Sequence, residues 1–191
     1  MGLAVYALAI DPLNTATLYA ATSSGVLKTT DGGSTWTTVN SGLPKGVVQT
    51  PNFSRFSGQP LAPLAPTDPV QALAIDPTNP ATLYVGTPRG VFNTTDGGQS
   101  WMASGLATQS VYTFAIDPAN PSTIYAGTQD GGVFKSTNSG QSWSSSGSPT
   151  APIQALAIDP SDPNILYAAT FGGGVLKSTD GGATWQPTGS D

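Results

Sequence analysis

The sequence predicts an all-β chain: a β-propeller of four-stranded antiparallel blades, with four blades to the chain. Three observations carry that expectation. One eight-residue stretch is written four times, at 29–36, 94–101, 136–143 and 178–185, and it holds all four tryptophans. A second marker, the ending Ala-Ile-Asp-Pro, recurs with its Asp at positions 11, 76, 117 and 159, in steps of 65, 41 and 42. Between the markers, short apolar runs alternate with turns bearing Gly and Pro, and no helical period is present. Self-similarity at about 42 residues, with four short strands in each period, is the pattern of propeller blades.

Each repeat reads in the same order. Strand one is the Ala-Leu-Ala-Ile run and its copies, entered at Val5, Val70, Val111 and Ile153. Successive apolar residues suit a strand covered on both faces. An Asp-Pro turn follows and leads to strand two, around 17–22, 82–87, 123–128 and 165–170. A turn bearing Gly leads to strand three, and the octet turns the chain into strand four, which begins at the tryptophan. Within the octet, Asp accepts hydrogen bonds from N–H groups further along the turn, Gly supplies positive φ, and Trp carries a large apolar area into a core. The blades fall at 1–43, 68–106, 107–150 and 151–191, with a Pro-rich insertion at 44–67 between the first two.

The octets TTDGGSTW, TTDGGQSW, STNSGQSW and STDGGATW resemble the Asp-box, or BNR repeat, Ser/Thr-x-Asp-x-Gly-x-Ser/Thr-Trp. The residues that match are Asp31 and Trp36, Asp96 and Trp101, Trp143, and Asp180 and Trp185; in the third copy Asn138 and Ser139 stand in place of Asp and Gly. Asn still caps a turn, so a weaker box is expected there rather than a lost blade. The resemblance implies a propeller similar to sialidases, xyloglucanase-type endoglucanases, sortilin-type receptors and the photosystem II assembly factor, with the box between strands three and four. It also implies an extracellular or cell-surface parent, although Met1 to Ile10 has neither the basic start nor the cleavage site of a signal peptide.

Composition narrows the function. Only 9% of the 191 residues are charged, against roughly 25% in an average soluble protein. The net charge of −5 argues against nucleic acid as a partner, and no apolar run is long enough for membrane insertion. Without Cys or His, a thiolate or imidazole metal site is excluded, and so is any nucleophile activated by His. All 11 acids are Asp. Seven of them sit in boxes or at strand ends, one or two per blade, which suits turns better than the converging oxygens that calcium needs. No metal and no cofactor are expected. The sialidase chemistry that the resemblance implies uses three arginines and a Tyr/Glu pair; this chain has only Arg55 and Arg89, and no Glu. A xyloglucanase-type site needs two opposed carboxyls, for which Asp130, with Asp68 at its edge, is the one evident candidate. The expectation is therefore a protein without catalytic residues.

Alternating strand direction gives each blade two ends. The Asp-Pro turns and boxes share one end and are nearly identical in the four copies. The turns between strands two and three, the linkers and the insertion share the other end and differ in every copy. Ligand contacts are expected on this variable end: Arg89, Asp130, Phe171, and Phe53, Arg55 and Phe56 from the insertion. The second residues of the first strands, Tyr6, Gln71, Tyr112 and Gln154, form an alternating ring at the channel mouth, either for a glycan or peptide or as the lining of a wet channel. The insertion's Phe rings either make contacts or fold back. Three functions follow: a non-catalytic scaffold for protein or glycan binding and assembly, a structural repeat module of a bacterial surface protein, or part of a xyloglucanase-type glycoside hydrolase. The spacing of the repeats across the chain ends favours two chains closing one eight-bladed homodimer ring over a closed four-bladed monomer or a fragment of a longer chain.

Overall fold

In the computed structural model, which describes residues 3–45, 67–147 and 150–189, each repeat forms one antiparallel sheet. The first holds β1 (Val5–Ile10), β2 (Leu18–Thr22), β3 (Gly25–Thr29) and β4 (Thr37–Thr38), in chain order. The second holds β5 (Ala72–Ile75), β6 (Leu83–Thr87), β7 (Gly90–Thr94) and β8 (Met102–Ala103). The third is β9 (Val111–Ile116), β10 (Ile124–Thr128), β11 (Val133–Ser136) and β12 (Ser144–Ser145). The fourth is β13 (Ile153–Ile158), β14 (Leu166–Thr170), β15 (Gly174–Ser178) and β16 (Gln186–Pro187). Among the described residues there is no helix. The fold is all-β, four four-stranded meanders in propeller fashion. The fourth strand is only two residues long and begins one residue after each box tryptophan, so the tryptophan lies just outside the ladder.

The core lies between sheets. Tyr19, Ala21, Val26 and Leu43 of the first repeat meet Val70, Leu83, Val85 and Trp101 of the second. Tyr84 and Val91 of the second repeat meet Val111, Ile124 and Ala126 of the third, with Trp143 packed against them. Ala115, Tyr125 and Val133 of the third repeat meet Ile153, Leu166, Ala168, Leu176 and Trp185 of the fourth. The innermost strands β1, β5, β9 and β13 pack in succession. Gly86 and Gly127 in the second strands let this happen, since a Cβ there would meet Val111 and Ile153 of the next inner strand.

Four sheets thus share three junctions. Among the described residues no cluster joins the fourth sheet to the first, and this corrects two expectations. β1 is not covered on both sides: Val5, Leu8 and Ile10 are exposed, whereas the copies of Val5 are buried and those of Leu8 and Ile10 half-buried. Nor does every box tryptophan enter a core, because Trp36 has no preceding sheet to pack on and is exposed.

Candidate functional site

The two ends of the sheets are bound differently. At the box end, a backbone N–H inside each box donates to the carbonyl of the neighbouring turn: Gly32 to Ala16, Gly97 to Ala81, Ser139 to Ser122 and Gly181 to Asn164. Each strand-end Asp closes its own turn by accepting two N–H groups on Oδ1. Those donors are Leu13 and Asn14 for Asp11, Thr78 and Asn79 for Asp76, Ala119 and Asn120 for Asp117, and Ser161 and Asp162 for Asp159. These are Asx turns, the reason Asp-Pro recurs there.

The boxes are equally self-contained. Asp31 Oδ1 accepts from the Thr29 hydroxyl at 2.7 Å and from Thr35 N–H at 2.9 Å, while Oδ2 accepts from the Thr35 hydroxyl at 2.6 Å. Asp96 repeats this with Thr94 and Ser100, and Asp180 with Ser178 and Thr184. Hydrogen bonds to the charged form favour it. Those from the Thr29 and Thr35 hydroxyls, in that order, bring Asp31 down to about 2. Those from Thr184, then Ser178, bring Asp180 to about 2 as well. The Ser100 hydroxyl, followed by Thr94, holds Asp96 lower still. The third box loses none of these bonds. Asn138 Oδ1 accepts from the Ser136 hydroxyl and from Ser142 N–H, and its amide donates to the Ser142 hydroxyl at 2.8 Å. Ser139 takes the positive φ, 57°, that Gly takes in the other boxes.

At the opposite end the tight turns share only a frame. Thr22, Thr87, Thr128 and Thr170 each donate a hydroxyl across the turn, to the carbonyls of Gly25, Gly90, Gly132 and Gly174. Linker groups reach this end too, as where Gln129 N–H donates to Ser110 and Phe171 N–H to Pro152. The side chains displayed differ from copy to copy. Arg89 Nε stands 2.6 Å from Asp68 Oδ2, so these two residues of the variable end form one ion pair. The Tyr112 hydroxyl donates to Gln129 Oε1 at 2.7 Å. Tyr6, Gln154, Asp130 and Phe171 are exposed. Tyr6, Tyr112 and Gln154 occupy the second position of β1, β9 and β13, and Gln71 directly precedes β5. No hydrogen bond links the four to one another among the described residues, and Gln71 Oε1 is buried without a partner. Phe53, Arg55 and Phe56 lie outside the described residues.

The sequence reading missed a third set of groups. Tyr19 and Lys28 both donate to the Gly97 carbonyl in the next repeat's box, at 3.1 and 3.0 Å. Tyr125 and Lys135 both donate to Gly181, and Tyr84 donates to Ser139. The Lys28 and Lys135 ammonium groups also stand 5.1 and 5.2 Å from the Tyr19 and Tyr125 ring centres. In the reverse direction, Trp101, Trp143 and Trp185 donate their indole N–H to the carbonyls of Val39, Ser104 and Ser146 in the preceding repeat. The second, third and fourth boxes are therefore both turns and clasps between neighbouring sheets. The recurrence of Tyr and Lys at the repeat period was the signal available for it. Among the described residues no three potential metal ligands converge.

Repeated four-stranded sheets clasped by Asp-boxes define a class: the propeller-type proteins of the BNR superfamily. Residues 64–191 match the family described as photosynthesis system II assembly factor YCF48, and the chain belongs to that family. No curated protein matches it in sequence. Among solved structures, an ancestral GH74 enzyme shares 24% identity at a TM-score of 0.74, over 98% of this chain and 24% of that one. The GH74 xyloglucanase of Xanthomonas campestris shares 17% at 0.72, over 97% and 30% of the two chains. An auxiliary nutrient binding protein of Bacteroides thetaiotaomicron shares 14% at 0.62, over 91% and 38%. These likenesses are of fold, and the chain spans well under half the length of each of the three.

Proposed function

We propose that the chain is a non-catalytic propeller-type scaffold that binds or assembles a protein or glycan partner through its variable loop end. The contrast between the two ends carries this reading. At the box end, the box and strand-end carboxylates are engaged in the turns they build. At the other end the turns keep a common frame but display a different set of side chains in each copy, with Tyr6, Arg89, Asp130 and Phe171 exposed. A folding device repeats, whereas a recognition surface varies. Aromatic rings with amides and a few charges suit a glycan or a peptide. Membership of an assembly-factor family supports the reading, as does a fold shared with a nutrient binding protein. Catalysis is no part of the proposal. Glycoside hydrolysis needs two facing carboxyls, and at this end Asp68 is tied to Arg89.

The test screens pure protein on a glycan array and in capture of protein partners, beside Phe171→Ser, Arg89→Ala and a deletion of 44–67. The expected result is a ligand whose affinity falls about tenfold or more, about 1.4 kcal/mol, in at least one variant that melts like the parent. Binding indifferent to all three changes would overturn the reading. So would turnover of xyloglucan or a sialoside that Asp130→Asn abolishes.

A further inference from the structure

Every internal junction uses one set of groups, and each outermost sheet carries half of that set without its complement. The donors of the earlier sheet are a tyrosine in its second strand and, in two of the three junctions, a lysine in its third; the acceptor is a box carbonyl of the later sheet. In return the later sheet's tryptophan donates to a carbonyl just after the fourth strand of the earlier one. The fourth sheet ends the series with Tyr167, Lys177 and the Thr188 carbonyl at the corresponding positions. The first sheet begins it with the Gly32 carbonyl and Trp36. Lys177 already stands over the Tyr167 ring, at 5.5 Å from its centre, in the arrangement that elsewhere aims both donors at a box carbonyl. Yet the Tyr167 hydroxyl, the Lys177 ammonium and the Trp36 indole have no hydrogen-bond partner among the described residues.

Burial divides the same way. Trp36 is 38% exposed, whereas Trp101 and Trp185 are 3% and 7%. Tyr167 is 38% exposed, against at most 2% for Tyr19, Tyr84 and Tyr125. Val175 is 41% and Val5 54% exposed, while Val26, Val91, Val133, Val70, Val111 and Ile153 are all fully buried. Residues that are buried in the other copies, or packed against the core as Trp143 is, lie open on the two end faces. The chemistry of one face is the complement of the other, not of itself.

From this we infer that a second copy of the chain covers both faces. The fourth sheet of each copy seats on the first sheet of the other, head to tail, in two equal junctions about a two-fold axis. Tyr167 and Lys177 donate to Gly32 of the second copy, and its Trp36 donates to the Thr188 carbonyl. The same replacement of Gly by Ala in the second strand that is tolerated at Ala21 is present at Ala169, so the new junction has the spacing of the first internal one. Four sheets from each copy make a ring of eight, within the usual range of blade numbers. The inference goes beyond the ligand-binding reading, and its readout needs no ligand.

Light scattering on a sizing column tests it with the 191-residue chain and two variants, Trp36→Arg on the first face and Val175→Arg on the fourth. The parent is expected at twice the chain mass of 19.3 kDa. Each variant alone breaks both junctions and is expected at 19.3 kDa, with the circular dichroism of the parent sheets. Mixed together they keep one junction intact, between the unaltered first face of one and the unaltered fourth face of the other, and a one-to-one dimer re-forms. Lys177→Glu replaces Val175→Arg should the latter fail to fold. A parent that stays at the chain mass at every concentration would overturn the inference, as would an assembly larger than two copies. A Val175→Arg variant that remains dimeric would show like faces pairing and would overturn it equally.

Discussion

Replacing Trp101 by Ala tests whether the box acts as a clasp between sheets or only as a turn within one. Trp101 is buried against the first sheet, in the cluster with Tyr19, Val26 and Leu43, and its indole donates to the Val39 carbonyl at 2.7 Å. Truncating a buried Trp costs about 3–5 kcal/mol, including the void that remains. For a chain of this size each kcal/mol moves Tm by about 2–4 °C, so Trp101→Ala is expected to melt about 6–20 °C below the parent. Trp36 provides the internal control. It occupies the same place in the same octet and leans on its own Gly33, but it has no preceding sheet. In a chain already carrying Val175→Arg, where no second copy covers the first face, Trp36→Ala is a surface change expected to fall within about 0.5 kcal/mol, or about 2 °C. Thermal melts followed by circular dichroism decide the matter. Equal losses at the two positions would refute the clasp, since a tryptophan that works only through its own hairpin costs the same in both. Trp101→Phe then isolates the indole bond, because it keeps most of the apolar area and leaves the Val39 carbonyl without that donor.

Two further outcomes follow from the box geometry. The hydroxyl and N–H donors around Asp31 and Asp180 lower their carboxyls to about 2 from 3.8, and Asp96 lies lower still. A carboxyl whose pKa is depressed on folding contributes stability that is complete above its unfolded value, about 3.9, and is lost as pH falls through the folded one. The parent is therefore expected to lose Tm between about pH 4 and pH 2, and the triple variant Asp31→Asn, Asp96→Asn, Asp180→Asn to lose less over that window, because Asn138 already shows that an amide holds the same turn; equal slopes in melts at pH 4, 3 and 2 would refute it. Ser139→Gly removes the cost of a side chain at φ 57°, about 1–2 kcal/mol, against the entropy Gly adds to the unfolded chain, about 0.5–1 kcal/mol; Tm should rise, by up to about 6 °C, and a fall would refute the reading.

How much of this was legible in the sequence depends on the range of the interaction. Contacts within one repeat could be read. The Asp11, Asp76, Asp117 and Asp159 turns span two or three residues, the box carboxylates reach four residues on, and the strands between them follow from apolar runs and Gly positions. Division into two ends followed from alternating strand direction alone. Contacts between repeats were hidden for a physical reason. In a periodic sequence a tryptophan at 101 points equally well to its own sheet and to the one before it, and the Val39 carbonyl it reaches carries no side-chain signal at all. For the same reason Val5 and Trp36 could not be told from their more buried copies: similar local sequences differ in burial because, among the described residues, no sheet packs before the first. At the variable end, Arg89 was legible as an exposed charge, but its ion pair with Asp68 joins a turn to a linker 21 residues away and needed the fold. Asp68 and Asp130 illustrate the consequence for function. As sequence Asp130 was the one evident acid of the variable end, with Asp68 at its edge; only the fold shows that Asp68 is ion-paired with Arg89 while Asp130 stands exposed.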